Sequence, residues 1–76
     1  MKIKMLVWEH IHSNVYHANT IIGKYALWYS DTYVCFMFPG DTAGRLLNLL
    51  NGGTKEQGME YCQNHFEEVI SEVLEN

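Results

Sequence analysis

Apolar residues recur every three or four positions along the last third of the chain, residues 55–74. This spacing places them on one stripe of an amphipathic helix. The residues of the stripe are Met59, Cys62, Phe66, Val69, Ile70 and Val73. Thr54 and Gln57 form a capping box, whose side chains can pair with the free backbone amides of a first helical turn. The pattern therefore predicts one long C-terminal helix.

The side of this helix opposite the apolar stripe is acidic. It carries six of the nine acidic residues of the chain, and no lysine or arginine follows Lys55. These six are Glu56, Glu60, Glu67, Glu68, Glu72 and Glu75. Glutamate–lysine pairs one turn apart stabilise exposed helices, and such pairs are missing here. We expect a negative solvent-exposed face, with Tyr61 projecting among the glutamates.

Two runs before the helix, residues 24–29 and 33–38, are rich in aromatic and β-branched residues and predict two strands. Ser30 and Asp31 favour a turn that joins them as a hairpin. Residues 3–8 are apolar and predict a first strand. Residues 9–14 are polar and indicate a bend, bulge or loop. Residues 15–20 alternate weakly, as in a short second strand or a continuation of the first.

A two-residue turn at Ser30-Asp31 would pair Tyr29 with Thr32, and a four-residue loop gives the same two faces. A three-residue loop would flip one strand. One face then carries Tyr25, Leu27, Tyr29, Val34, Phe36 and Phe38. The other carries Lys24, Ala26, Trp28, Tyr33, Cys35 and Met37. One helix covers only one of these faces, so either residues 46–50 cover the second face or that face is exposed, as interfaces are.

Pro39-Gly40 ends the second run of the hairpin. Asp41 as N-cap and Gly52-Gly53 as C-cap predict a short helix through the leucine-rich segment between them, with an apolar loop or a short strand as alternatives. The predicted fold is a single α+β domain over residues 1–76. An antiparallel sheet of three to four strands carries the long C-terminal helix on one face. The predicted core holds Ile3, Leu6 or Val7, Leu27, Val34, Phe36, Cys62, Phe66, Val69 and Val73.

Composition and charge exclude several classes of function. Hydrophobic residues make up 47% of the 76 residues, which fits a small folded domain. The net charge is −4 and the five cations are scattered, which argues against direct binding to nucleic acid or to an anionic membrane. No apolar run reaches the roughly 20 residues of a membrane span, and the start of the chain lacks a signal-peptide pattern. We expect a cytoplasmic protein with two reduced thiols.

The sequence contains few residues that could bind a metal or act in catalysis. His10, His12, His17 and Glu9 are potential zinc ligands, but they lack the spacing of known zinc motifs. Cys62 is predicted to be a packing residue, whereas the role of Cys35, on the second face of the hairpin, stays open. No phosphate-binding loop or nucleophile motif is present. The sequence therefore predicts no enzyme, no cofactor and no metal.

Two short motifs carry a resemblance. The segment at residues 18–25, Ala-Asn-Thr-Ile-Ile-Gly-Lys-Tyr, resembles an A-x-T-x-x-G-x-Y pattern that leads into an aromatic hairpin. Thr54-Lys55-Glu56, followed by Gln63 and Phe66, resembles a closing helix of the form T-x-E…Q-x-x-[FY]. Both patterns are those of small uncharacterised proteins of tailed bacteriophages and prophages. The resemblance implies a small α+β fold and a phage setting, hence the cytoplasm of a host bacterium, and it implies no mechanism.

The functional hypothesis is a non-enzymatic protein-binding module. In a phage setting, an acidic surface suits a basic host protein such as a defence nuclease complex, which the module would inhibit as an anti-CRISPR protein does. The alternative is a homo-oligomeric structural or accessory phage protein that associates through its aromatic sheet face. The predicted partner-binding residues are Glu60, Tyr61, Glu67, Glu68, Glu72 and Glu75 on the helix, with Trp28, Tyr33 and Met37 on the sheet.

Overall fold

The computed structural model describes residues 4–75, with side chains for residues 4–50 and 52–73. This part of the chain folds into an antiparallel five-stranded sheet and one long helix, joined by a short 3-10 turn. The elements are β1 (Glu9–His12), β2 (Val15–Thr20), β3 (Gly23–Tyr29), β4 (Tyr33–Met37), β5 (Arg45–Asn48), the 3-10 turn (Leu49–Asn51) and α1 (Lys55–Glu75). Strands adjacent in sequence are adjacent in the sheet. The α+β class is confirmed, and the sheet has one strand more than the upper prediction.

The central hairpin has the two faces that the alternation of its residues predicts. Tyr29 pairs with Val34 and Leu27 with Phe36, so the connection is the four-residue one and the pairing of Tyr29 with Thr32 is wrong. The backbone amide of Ser30 donates to the carbonyl of Tyr33 at 2.8 Å and closes the turn. Because the two registers differ by two residues, the same side chains share each face.

Helix α1 packs on the face of the sheet that carries Leu27 and Val34. A Cβ atom at Gly58 would lie 3.0 Å from Val34 Cγ1 and 3.1 Å from Leu27 Cδ1. Glycine in the first turns of α1 therefore allows the helix to lie close against the sheet. The buried cluster beneath it consists of Ala18, Tyr25, Leu27, Val34, Phe36 and Cys62.

Most of the predicted core is confirmed. Leu27, Val34, Phe36 and Cys62 are buried, Phe66 and Val69 are partly buried, and Ile3 lies outside the described residues. Leu6 packs on the core while Val7 is 83% exposed, which decides between those two candidates. The prediction that Val73 belongs to the core is wrong, because its side chain is 64% exposed. The reason is the length of the helix: 21 residues make α1 about 31 Å long, whereas the longest strand, of seven residues, spans only about 23 Å.

The predicted short helix after Pro39 is wrong, and the short-strand alternative is the one observed. β5 extends the sheet beyond β4, with Leu46 opposite Cys35 and Leu47 opposite Val34. Asp41 Oδ2 accepts hydrogen bonds from the backbone amide of Phe38 at 3.1 Å and from Arg45 Nε at 3.2 Å. The Asp41 carboxylate thus stabilises the turn between β4 and β5 by hydrogen bonds to residues at both of its ends, and it does not cap a helix.

The first strand also lies later in the chain than predicted. Residues 9–14 were expected to form a bend, bulge or loop; residues 9–12 instead form β1, whose register shifts between His10 and His12 as in a bulge. The predicted first strand was residues 3–8, and its described part, residues 4–8, lies outside the sheet. Their backbone bonds to the Gln63 side chain instead, since the amide of Leu6 donates to Gln63 Oε1 at 2.7 Å.

Candidate functional site

The structure divides the predicted partner-binding residues between two opposite surfaces. The acidic helix face is the outer side of α1, with Glu60, Tyr61 and Glu68 exposed. The open sheet face is the side of the sheet that α1 does not cover. Its residues include Val15, Ala26, Trp28, Tyr33, Cys35, Met37 and Leu46. These two surfaces lie on opposite sides of the sheet, so one flat partner cannot contact both.

The exposed glutamates flank the outer ridge of α1 on both sides. At about 100° per residue, Glu60 lies about 160° from the buried Cys62 in one direction, and Glu68 lies about 120° from it in the other. Glu56, Glu60 and Glu68 are exposed and make no ion pair or hydrogen bond with the described side chains. The acidic helix face therefore has carboxylates accessible to a partner from two sides.

The remaining predicted carboxylates differ in their surroundings. Glu67 is half-buried, and its Oε2 accepts a hydrogen bond from Gln63 Nε2 at 2.9 Å. Glu72 is exposed. The side chain of Glu75 lies outside the described residues. Among the predicted partner-binding carboxylates, Glu60 and Glu68 are thus both exposed and unpaired with the described side chains.

Two cations that could neutralise the helix are held elsewhere. The Lys55 ammonium lies 5.2 Å from the ring centre of Tyr16 and 5.0 Å from that of Tyr29. Arg45 pairs with Asp41, and its guanidinium lies 4.5 Å from the ring centre of Phe38. The backbone amide of Phe38 and the Arg45 guanidinium hold the pKa of Asp41 below its ordinary value. These contacts leave Glu56, Glu60 and Glu68 without local compensation from Lys55 or Arg45.

Tyr61 is exposed as predicted, but its ring does not point in the predicted direction. Its side chain is 50% exposed, but one side of its ring stacks on Phe36 with centroids 5.7 Å apart and planes 11° apart. The ring thus leans toward the sheet and does not project outward among the glutamates. Gln57, Glu60 and Asn64 line a small depression beside it. Stacking restricts the ring to one orientation, which lowers the entropy cost of using Tyr61 as a binding anchor.

A shallow cleft lies next to Tyr61 between α1 and β5. Its volume is about 380 Å³, and its lining consists of Phe36, Phe38, Arg45, Leu47 and Tyr61. The cleft exists because β5 widens the sheet past the edge of the single helix. Sequence reasoning missed it, because the leucine-rich segment was not placed in the sheet. An apolar side chain of a partner would fit against these rings.

The two thiols are packing groups. Burial, followed by the charge of Asp41, raises the pKa of Cys62 to about 12, and burial raises the pKa of Cys35. Both thiols therefore stay protonated and weakly nucleophilic at neutral pH. The Tyr25 phenol shares a hydrogen bond of 2.7 Å with His65 Nδ1. Burial, followed by the nearby Cys62, raises the pKa of Tyr25 to about 12.

The histidines of β1 and β2 do not converge. His10 Nε2 lies 2.6 Å from the carbonyl oxygen of Ser13, and the ring stacks on Tyr16 with centroids 4.8 Å apart. Among the described residues, no three histidine, cysteine or carboxylate side chains lie close enough together to hold a metal ion.

The chain matches no protein-family model, and it has no significant match among curated proteins or solved structures. The resemblance to phage proteins therefore stays a prediction. None of the helices in residues 4–75 has the length and apolarity needed to cross a membrane.

Proposed function

We propose that this chain is a non-enzymatic protein-binding module that contacts a basic partner protein through the acidic helix face. One observation carries the proposal: the half-exposed ring of Tyr61 is fixed on Phe36 at the edge of the helix face that exposes Glu60 and Glu68, which have no ion-pair partner among the described residues. An oriented aromatic residue beside exposed carboxylates can serve as the anchor of a binding hot spot.

The two parts of this surface have different physical roles. The carboxylates attract a cationic partner over a distance of about a Debye length, so they raise the association rate and make binding depend on salt. The Tyr61 ring and the adjacent cleft supply apolar contact, which slows dissociation. The partner expected from this chemistry presents lysine or arginine residues around an exposed apolar side chain.

The phage resemblance adds a biological setting to this proposal. A small acidic protein made during infection would act by occupying the basic surface of a host protein. A defence nuclease complex is one such target, because its nucleic-acid channel is rich in lysine and arginine. The module would then inhibit that complex by competing with nucleic acid.

The test begins with capture of the partner from host bacterial lysate and its identification by mass spectrometry. The dissociation constant of the purified pair is then measured for the wild type, Glu68→Lys and Tyr61→Ala. Asp31→Lys is the matched control, because it changes the net charge by the same amount at the exposed tip of the central hairpin. Circular dichroism checks that each variant is folded.

Glu68→Lys should weaken binding at least tenfold and reduce its salt dependence, while Asp31→Lys should bind as the wild type does. Tyr61→Ala should weaken binding roughly 30-fold, the loss typical of a hot-spot residue. Wild-type affinity in both Glu68→Lys and Tyr61→Ala would overturn the proposal.

A further inference from the structure

A second cleft flanks α1, between the helix and residues 4–8 of the N-terminal segment. This cleft, the N-terminal groove, has a volume of about 260 Å³. Its lining consists of Met5, Leu6, Trp8, Glu56, Met59, Glu60 and Gln63. Pockets for drug-sized ligands have volumes of about 300–1,000 Å³. The N-terminal groove is smaller and therefore suits a single side chain of a partner.

The apolar part of the groove is held in place by hydrogen bonds and packing. The Gln63 side chain accepts from the Leu6 amide at 2.7 Å and donates to the Lys4 carbonyl at 3.3 Å, so the segment is attached along α1. Leu6, Trp8 and Met59 are half-buried and pack on the buried cluster. The groove is thus formed before a ligand arrives, which lowers the entropy cost of binding.

Two carboxylates border this apolar lining. Glu56 and Glu60 are exposed and lie one helical turn apart, about 40° from each other around the helix axis. Like charges at this spacing repel each other. Neither carboxylate has an ion pair or hydrogen bond with the described side chains, and Lys55 is held over the rings of Tyr16 and Tyr29. The described part of the groove therefore combines an apolar surface with uncompensated negative charge.

We infer that the N-terminal groove binds one arginine side chain of the basic partner. The inference rests on the proposed function for the source of that arginine. Charge selects a cation as the occupant, because a neutral apolar side chain would desolvate Glu56 and Glu60 and give them no partner.

The composition of the groove selects arginine over lysine. A guanidinium is weakly hydrated, packs on aromatic rings such as that of Trp8, and donates through its planar fork to carboxylates. An ammonium is strongly hydrated and loses more on entering an apolar groove. The aliphatic stem of the arginine would contact Leu6 and Met59, with its head group between Glu56 and Glu60.

The groove and the cleft beside Tyr61 lie on opposite flanks of α1. Gln63 and Tyr61 follow and precede the buried Cys62, about 100° from it in opposite directions. Glu60 lies between the two sites, since it borders both the groove and the small depression beside Tyr61. A helix with its side chains is about 10 Å wide. A partner that occupies both sites must therefore present its arginine and its apolar side chain about 10 Å apart.

The test is an NMR titration of the isotope-labelled full chain at low salt with the peptide acetyl-Gly-Arg-Gly-amide. Two matched peptides replace the arginine by lysine or by citrulline, which has nearly the same shape as arginine but no charge. The indole N–H resonance of Trp8 reports on the groove. That of Trp28 is the internal control, because Trp28 lies on the side of the sheet that α1 does not cover.

The arginine peptide should shift the Trp8 resonance saturably, with a dissociation constant in roughly the millimolar range, and leave that of Trp28 unchanged. The lysine peptide should bind roughly threefold more weakly, and the citrulline peptide should give no saturable shift. Glu60→Gln should weaken binding of the arginine peptide about fivefold. Glu68→Gln is the matched control, an exposed glutamate on the opposite flank of α1, and should bind as the wild type does.

Four results would overturn the inference: no saturable shift of the Trp8 resonance at tens of millimolar peptide, an equal response to citrulline, an equal response to lysine, or equal affinities of Glu60→Gln and Glu68→Gln. The peptide titration involves neither the captured partner nor Tyr61. Loss of partner binding in Tyr61→Ala together with no response to the arginine peptide would keep the proposed function and remove the arginine site. A groove that binds arginine while Glu68→Lys and Tyr61→Ala keep wild-type affinity for the partner would do the reverse.

Discussion

The side-chain amide of Gln63 makes the backbone hydrogen bonds near Leu6 that a neighbouring strand would otherwise make. Gln63 Oε1 accepts from the Leu6 amide at 2.7 Å, and Gln63 Nε2 donates to the carbonyl of Lys4 at 3.3 Å. This pair of contacts orients the segment so that Leu6 packs on the core while Val7 faces solvent. The N-terminal segment is thus attached to α1, and one side chain provides both hydrogen bonds.

Gln63→Ala should lower the free energy of unfolding by about 1–2 kcal/mol, because the partly buried amide of Leu6 loses its acceptor. Urea denaturation measures the loss, and hydrogen exchange at the Leu6 amide should become faster. Asn64→Ala is the control, since Asn64 is the exposed neighbour on the outer side of α1. Equal stability of Gln63→Ala and wild type would show that the contact contributes nothing.

Gly58→Ala should have two opposing effects on stability: alanine raises helix propensity, but its side chain overpacks the contact between α1 and the sheet. Alanine favours the helix by roughly 1 kcal/mol, but its Cβ would lie 3.0 Å from Val34 Cγ1, and overpacking costs about 1–3 kcal/mol. We expect a net loss of up to about 2 kcal/mol in urea denaturation.

The same substitution in a Val34→Ala background isolates the packing contribution. Val34→Ala removes one of the two methyl groups that the new Cβ would meet, and the Leu27 contact remains, so Gly58→Ala should be less destabilising there than in the wild type. An identical effect of Gly58→Ala in both backgrounds would contradict the close packing of α1 on the sheet.

The parts of the fold that sequence predicted are those whose signal is local. The stripe of α1 and the two faces of the hairpin follow from the spacing of neighbouring apolar residues, and they are confirmed. β5 depends on the carboxylate of Asp41 turning the chain back along β4. The position of residues 4–8 depends on Gln63, 57 residues away from Leu6. Periodicity has no access to such distant side-chain contacts.

The same distinction applies to the candidate site. The acidity of α1 and the exposure of Tyr61 could be read from the order of residues. The stacking of Tyr61 on Phe36 could not, because it requires the position of the helix edge over β4. The cleft beside Tyr61 required β5, and so its lining residues Leu47 and Arg45 were missed.

The two ends of the apolar stripe should differ in their contribution to stability. Phe66 is partly buried and packs edge-on against Tyr25, with centroids 6.2 Å apart. Phe66→Ala should cost about 2–4 kcal/mol, below the full value for a completely buried ring. Val73 is 64% exposed, so Val73→Ala should change stability by less than about 0.5 kcal/mol. Chemical denaturation of both variants checks this, and similar losses would mean that α1 stays on the sheet to its end.

Alkaline pH should destabilise the fold through Cys62 and Tyr25. Burial raises the pKa of Cys62 from 9.0 to about 12 and that of Tyr25 from 10.0 to about 12. Below pH 9 these groups are protonated in both the folded and the unfolded chain, so their contribution is constant. Between the ordinary and the raised pKa values only the unfolded chain loses these protons. The free energy of unfolding should therefore fall from about pH 9 to about pH 12.

The measurement is the urea midpoint at a series of pH values, for the wild type, Cys62→Ala and Met59→Ala. Cys62→Ala removes the thiol and should show a shallower fall above pH 9. Met59→Ala truncates a partly buried residue on the same stripe that does not ionise, so it should lower the midpoint at every pH and leave the slope unchanged. If Cys62→Ala and the wild type lose stability in parallel, the burial of the thiol does not control the alkaline transition, and the Tyr25 phenol and the Cys35 thiol would be the next groups to replace.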